Sequence, residues 1–321
     1  MASPPRDKIE NALIVTHYDL DGFVCALSLI EAFHLGVGRV LFLSYGSHRS
    51  SMIENAVQKT NAESIFVCDI GLSADDLEAP WAADPRLYRV LFDHHRSTLD
   101  LNLDRFDEIY VDASGDVCSS DLVFQYLQRR LPAHLEEKLR QWTALAHDRD
   151  LWINRDREMG QRVSWLLKDR IHQRLETALT ASAPAEFLKR LHGKWKRGEE
   201  LFADAAACAR NTAHLFEDGP VPVKIAYVKR DTSDVAEELQ EGGQLIVLLN
   251  LFGQHVGVSL RADREDIDAA EIAQRCFGGG GHRSAAAGFL DTRLLLGGYR
   301  AIYEALLPVL EKQLKSADSS K

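Results

Sequence analysis

The sequence is short of cysteine and has no cysteine pair. Cys25, Cys68, Cys118, Cys208 and Cys276 are scattered along 321 residues with no Cys-x-x-Cys spacing. An odd, dispersed set reads as reduced thiols in a cytoplasm and argues against a zinc–thiolate site. Long apolar runs are also missing: none reaches the length that spans a bilayer. The opening MASPPRDKIE carries early charges of both signs and no apolar stretch, so no secretory signal is expected. Nor is there an excess of basic residues. Lys and Arg number 38 against 48 Asp and Glu, a formal net charge of −10. A chain that tracks long nucleic acid by neutralising phosphates usually carries a basic face, and this balance disfavours one. An acidic chain can still hold a short phosphate-bearing ligand through a few local cations and metals. There is no internal repeat and no low-complexity tract.

What is there is ordinary in bulk. The apolar share is 45% and the charged share 27%, as in a soluble globular protein, and the length allows two domains. In the first half, apolar runs of strand length alternate with helical patterns. The runs are 12–16, 39–44, 64–68, 88–92 and 108–111. Phe23, Val24, Leu27, Ile30 and Phe33 recur at near-helical spacing, and further helices are expected around 119–130 and 135–147. Continuous apolar strands alternating with helices predict an α/β fold with a doubly wound, mostly parallel sheet. Residues 160–215, rich in Arg, Lys, Glu, Leu and Ala, read as connecting helices. After Asp218-Gly219-Pro220, strands are expected at 223–228, 244–250 and 255–261, with helices around 232–241, 268–276 and 294–314. These describe a smaller second α/β domain.

The chemistry lies at the ends of the strands. The run 12–16 is followed by His17-Tyr18-Asp19-Leu20-Asp21-Gly22. The run 64–68 is followed by Asp69. The run 88–92 ends in Asp93-His94-His95. In a parallel sheet the carboxyl ends of the strands share one edge, where ligands bind. Three segments therefore bring acids and imidazoles together. A fourth, 144-ALAHDRDLW-152, adds Asp148 or Asp150, with Asp148 preferred. Any one of these acids alone could be a helix cap or a turn former, and Asp112, after 108–111, is left in that role. As a set, about four Asp and two His without thiolate suit a pair of divalent ions such as Mn²⁺ or Mg²⁺. Such a pair can share a carboxylate and activate water for phosphoryl displacement.

A second unusual stretch is 277-FGGGGHRSAAAGF-289. Consecutive glycines let backbone N–H groups approach an anion closely. Gly279, Gly280, Gly281, His282 and Arg283 are candidate phosphate or base contacts, and Arg261 is another. The alternatives are a flexible linker for the glycines and a surface ion pair for Arg261.

Taken in order, HYDLDG at 17–22, Asp69, DHH at 93–95 and the acid near 148 resemble the four motifs of the DHH phosphoesterase superfamily. GGGGHRSAAAGF resembles the signature of its companion domain, DHHA1. The resemblance covers about residues 10–315. It implies a DHH catalytic domain at 10–185, a helical linker at 186–217 and a DHHA1 substrate-binding domain at 218–315. It implies two divalent ions, Mn²⁺ first, with Mg²⁺ or Co²⁺ as alternatives. The implied metal ligands are His17, Asp19, Asp21, Asp69, His94 and Asp148, with Asp69 shared between the ions. Asp93 would orient the neighbouring imidazoles, and His95 would assist the leaving oxygen. His282 and Arg283 would hold the substrate's terminal phosphate or base. The spacing His-x-Asp-x-Asp-Gly is closer to the nuclease and oligonucleotide branches. The pyrophosphatase branch has a different second domain. Long-strand exonucleases add an oligonucleotide-binding fold for which there is no room. The expected function is a cytoplasmic phosphodiesterase, an oligoribonuclease of the nanoRNase kind, that releases 5′-mononucleotides from short RNA or dinucleotides such as pGpG. Long nucleic acid and membranes are not expected partners; a homodimer is left open. The alternatives are a pAp phosphatase, a cyclic-dinucleotide phosphodiesterase, or a non-catalytic nucleotide-binding protein.

Overall fold

The computed structural model describes residues 9–44, 48–230, 232–252, 255–281 and 283–318. The chain divides into two compact units, one up to Gly198 and one from Glu199.

The first unit is α/β. Its strands are β1 (Ala12–His17), β2 (Val40–Leu43), β3 (Ser64–Cys68), β4 (Tyr88–Asp93) and β5 (Glu108–Val111). Its helices are α1 (Leu20–Phe33), α2 (Arg49–Thr60), α3 (Ala74–Glu78), α4 (Pro80–Ala83), α5 (Arg96–Leu99), α6 (Ser119–Leu127), α7 (Ala133–Asp150), α8 (Arg157–Leu167), α9 (Ile171–Thr180) and α10 (Pro184–Arg190). The strand order is β2-β1-β3-β4-β5, and every pairing is parallel. Burial explains the continuous apolar runs. Ala12, Ile14, Phe66, Cys68, Val90 and Phe92 face one core with α1, α6 and α7. Leu13, Val15, Ile65, Val67 and Leu91 face a second core with α2 and α4. Both faces of the central strands β1, β3 and β4 are covered, so both parities must be apolar there. The chain winds away from β1 in opposite directions, to β2 on one side and β3 on the other. The crevice beyond the ends of β1 and β3 is the topological switch point, where open sheets of this kind bind ligands.

One buried ion pair secures the second core's helices. Asp76 is 2% exposed and accepts from Arg49 Nε at 2.9 Å, Ser50 Oγ at 2.6 Å and the Ser73 amide at 2.8 Å. Burial alone would raise its pKa, but these donors outweigh it and hold the carboxyl at about 2. A folded-state value below the unfolded one adds stability that is full above about pH 4. That stability is lost as pH falls through 2. Discounted for partial solvent screening, Asp76→Asn is expected to lose about 1–2 kcal/mol at neutral pH. Thermal melts should show the gap between the two proteins closing between about pH 4 and pH 2.

The unit boundary falls within α11 (His192–Thr212). The second unit contains β6 (His214–Phe216), β7 (Val223–Val228), β8 (Leu245–Phe252), β9 (His255–Ala262), β10 (Gly280–Gly281) and β11 (Ala285–Leu290). Its helices are α12 (Thr232–Leu239), α13 (Ala269–Phe277), α14 (Thr292–Leu296) and α15 (Gly298–Asp318). The six-stranded sheet runs β10-β11-β9-β8-β7-β6. Only β7 and β8 pair in parallel. Two features depart from the sequence reading. Residues 285–290, where no strand is expected from the sequence, form β11, whose alanines pair with β9. The helix expected at 294–314 is two helices, broken at Gly297 before Gly298, where φ is +68°. Among the described residues, no helix is long and apolar enough to cross a membrane.

Candidate metal centre

Parallel pairing puts the ends of β1, β3 and β4 side by side, and the acids and imidazoles that follow them meet there. His17 closes β1, and Asp19 caps α1. Asp19 accepts from His17 Nδ1 at 2.7 Å and from the Gly22 amide at 2.9 Å. The helix-cap reading of Asp19 is therefore true without excluding a second role. Gly22 is required here: a Cβ would lie 2.3 Å from the His17 carbonyl oxygen. Asp21, in the first turn of α1, is 1% exposed. Its oxygens accept the Ser119 and Ser120 amides at 2.8 and 2.9 Å. The positive end of α6 thus holds this buried carboxylate in place.

Asp69 follows β3 in a left-handed conformation, φ +56°, unusual for a residue with a side chain. Its amide bonds to the Phe92 carbonyl at 2.9 Å, which continues the β3–β4 ladder and fixes the turn. Oδ1 lies 3.3 Å from His94 Nε2, and Oδ2 lies 3.8 Å from His17 Nδ1. The two oxygens of one carboxylate thus face different imidazoles. His94 Nε2 also lies 3.6 Å from Asp150 Oδ2. Ligand atoms fall into sets that share members: His17, Asp19 and Asp69; Asp21, His94 and Asp150; and Asp69, His94 and His95. Within each set they lie within 4.8 Å of one another.

Electrostatics test whether cations fit. Burial, and then Asp19, Asp21 and Asp150, push the Asp69 carboxyl well above the usual range. Burial, and then Asp21 and Asp19, push Asp150 up as well. Burial also opposes ionisation of Asp19, but the charge and hydrogen bond of His17 outweigh it and hold Asp19 low. Burial lowers His94. Burial opposes the charged form of His17, but Asp19 outweighs it and raises the imidazole. Oδ2 of Asp69 is buried and lacks a hydrogen-bond partner. Crowded carboxylates of this kind require protons or cations between them. Four carboxylates and two imidazoles, with no thiolate, match hard divalent ions. The residues present fit the group.

One expected ligand is not in the cluster. Asp148 is 8% exposed, and its oxygens accept the Arg155 and Asp156 amides at 2.8 and 2.9 Å. Its carbonyl accepts from Ile153 and Asn154. Asp148 therefore ties down the turn after α7, and Asp150, the last residue of that helix, reaches the cluster instead. Asp93 is fully buried. It accepts from His95 Nδ1 at 2.7 Å, so the imidazole it is seen to orient is His95. Asp112 accepts the Ser114 amide at 2.9 Å and so forms a turn. Sequence reasoning did not find the Ser119–Ser120 contact with Asp21. The cue was Cys118-Ser-Ser-Asp121, a capping pattern that opens α6 and whose Asp121 carboxylate accepts the Cys118 amide. Cys118, Asp121 and His147 form a further set of metal-ligand type. There His147 Nδ1 lies 2.7 Å from Asp121 and Cys118 Sγ lies 3.2 Å from Ser120 Oγ, so each of the two pairs is held by hydrogen bonding.

In the second unit the glycine run has structural reasons of its own. Gly281 has φ +145°, and a Cβ there would lie 2.6 Å from the Ala285 carbonyl oxygen. A Cβ at Gly279 would lie 1.9 Å from the Ala287 carbonyl oxygen, whereas Gly280 has open space. Arg261 bonds to Ser233 Oγ at 2.6 Å and to the Leu260 carbonyl at 2.7 Å. Arg283 bonds to the Glu265 carbonyl. His282 lies outside the described residues.

Residues 11–147 match the DHH family, N-terminal domain. That stretch, under half of the chain, carries the N-terminal domain of the DHH family. No curated protein sequence matches the chain. Among solved structures, it is similar to the DHH domain of a protein assigned to a family of ribosomal proteins. That match has TM-score 0.65 and 13% identity, covering 93% of this chain and 86% of the other. It is similar to RecJ from Thermus thermophilus in complex with Mn²⁺, with TM-score 0.59 and 15% identity. That match covers 94% of this chain but 52% of RecJ. It is also similar to PggH, a pGpG-specific phosphodiesterase from Vibrio cholerae. There the TM-score is 0.52 and the identity 12%, covering 94% of this chain and 99% of PggH. At these identities the likeness is one of fold.

Proposed function

We propose that this protein is a metal-dependent phosphodiesterase that hydrolyses short oligoribonucleotides or dinucleotides such as pGpG to 5′-mononucleotides. The observation that carries this reading is Asp69, whose two oxygens face His17 on one side and His94 on the other. His17, Asp19 and Asp69 would hold one divalent ion, and Asp21, His94 and Asp150, with Asp69, the other. When bound, such ions, Mn²⁺ first, supply a water activated near neutral pH and positive charge opposite the phosphoryl oxygens. The protein's own part is preorganisation. The α6 N-terminus fixes Asp21, the β3–β4 ladder fixes Asp69, and Asp93 fixes His95. A carboxylate only accepts, so His95 Nδ1 carries the hydrogen it gives to Asp93, and Nε2 is the nitrogen through which His95 meets the leaving oxygen.

The substrate is assigned from charge and likeness. A net charge of −10 opposes long tracks of phosphate contacts. The likeness to a pGpG-specific phosphodiesterase extends over 94% of the chain. We assign catalysis to the first unit and substrate binding to the second. Arg261, Gly280, His282 and Arg283 are the contacts to phosphate or base. His282→Ala is expected to raise KM for pGpG about tenfold or more while Mn²⁺ affinity stays unchanged, the loss of one charge-assisted contact. Loss of metal would remove His282 from that role.

The test is a panel of pGpG, pApA, an RNA trimer and pentamer, pAp and c-di-AMP, incubated with Mn²⁺ and resolved by chromatography. Mononucleotides from the dinucleotides and short RNAs are expected. AMP from pAp alone would replace this reading with a phosphatase.

A further inference from the structure

We infer that Thr98 is a positioning residue for the reaction, acting through Asp93 on His95; this rests on the functional reading above. The structure holds three links. Thr98 Oγ1 donates to Asp93 Oδ2. Asp93 Oδ1 accepts from His95 Nδ1 at 2.7 Å. The Thr98 amide bonds back to the His95 carbonyl at 3.2 Å, closing the turn between them. Asp93 and Thr98 are both fully buried. A buried carboxylate needs donors on its oxygens, and here each oxygen has a different one. The hydroxyl therefore sets the rotation of the carboxylate about its own axis, and that rotation aims Oδ1 at the imidazole. A hydroxyl that served only to satisfy a buried acid would not need to sit on the oxygen opposite the histidine, in the same turn as the histidine. Gly71 supports the arrangement from the other side. A Cβ there would lie 3.3 Å from His95 Cγ and 3.0 Å from Ser97 Oγ, so the ring has little room to tilt away from Asp93.

The step served is the departure of the leaving group. One water adds across the P–O3′ bond. Its oxygen bonds to phosphorus, the bond to O3′ breaks with its electron pair, and O3′ takes the Nε2 proton of His95 in its imidazolium form, which leaves a neutral ring with its Nδ1 hydrogen still on Asp93. The imidazole regains a proton from solvent, equal to the one the water gives up. If Thr98 holds His95 for this step, its loss should matter only where the leaving oxygen needs that proton.

The test compares pGpG with thymidine 5′-p-nitrophenyl phosphate, whose nitrophenolate departs without one. Wild type, Thr98→Val and Thr98→Ser are assayed with Mn²⁺, and bound metal is counted. Thr98→Val is expected to lose about 10–100-fold in kcat on pGpG, as for removal of an orienting partner, with KM within about threefold. On the nitrophenyl ester it should lose less than about threefold, and bound Mn²⁺ should be unchanged. Thr98→Ser, which keeps the donor, should stay within about threefold on both. Equal losses on the two esters, or lost metal, would overturn the inference and make Thr98 a structural residue. If Thr98→Val does not fold, Thr98→Cys, with a weak donor of similar size, is read by the same ratio. Wild-type protein that cleaves neither ester overturns the functional reading, and the positioning role with it.

Discussion

Asp69→Ala is expected to lower turnover of a dinucleotide by about 10³-fold or more and to remove both tightly held divalent ions. The reason is geometric. Each oxygen of Asp69 faces a different ligand set, so one substitution removes a ligand from both. His94 also belongs to two sets, but through the one Nε2 atom that faces both Asp69 and Asp150, and each remaining member belongs to one. A second substitution, Asp69→Asn, separates function from folding. Without cations the buried carboxylates repel one another, so metal-free Asp69→Asn should melt no lower than metal-free wild type. With Mn²⁺ added, only wild type should gain stability, because only it binds the ions. Calorimetry with and without Mn²⁺ checks both statements. Turnover within a few-fold of wild type would remove Asp69 from its role.

The second large effect distinguishes two acids that are two residues apart. Asp150→Ala should lose about 10²–10³-fold in kcat and one metal site while folding normally. Asp148→Ala should do the reverse. It removes a buried acceptor from two backbone amides, at a cost of about 2–4 kcal/mol, and should keep metal binding at temperatures where it is folded. Metal titration and thermal melts on the two variants give opposite patterns. Lost metal in folded Asp148→Ala, with Asp150→Ala active, would restore the assignment read from the sequence.

The structure places Asp150 rather than Asp148 beside His94, for a physical reason. Both acids follow the same apolar helix, and spacing from the strands says nothing about which way each points. The helix period held the answer. Leu139, Trp142 and Ala146 are fully buried along α7, and Asp150 continues that stripe four residues on. Asp148 is buried too, but against the turn that follows. The strand-end acids were legible because parallel strands sum their chemistry at one edge, a property of connectivity that alternating apolar runs already encode. Strand β11 was not, because Ala285, Ala286 and Ala287 carry no β-branched or aromatic signal. Thr98 was not either, since a hydroxyl in a short turn has no periodic pattern. The glycine run was legible as unusual, but the sequence could not show that Gly279 and Gly281 are required by the backbone of β11 packed against them.

The most direct measurement is of the ions themselves. The full chain is loaded with Mn²⁺, bound metal is counted, and the electron paramagnetic resonance spectrum is recorded. Two ions per chain with a spin-coupled spectrum, lost in Asp69→Ala, is the result that a shared Asp69 carboxylate predicts. One ion per chain, or two uncoupled ions indifferent to Asp69, would contradict a paired centre.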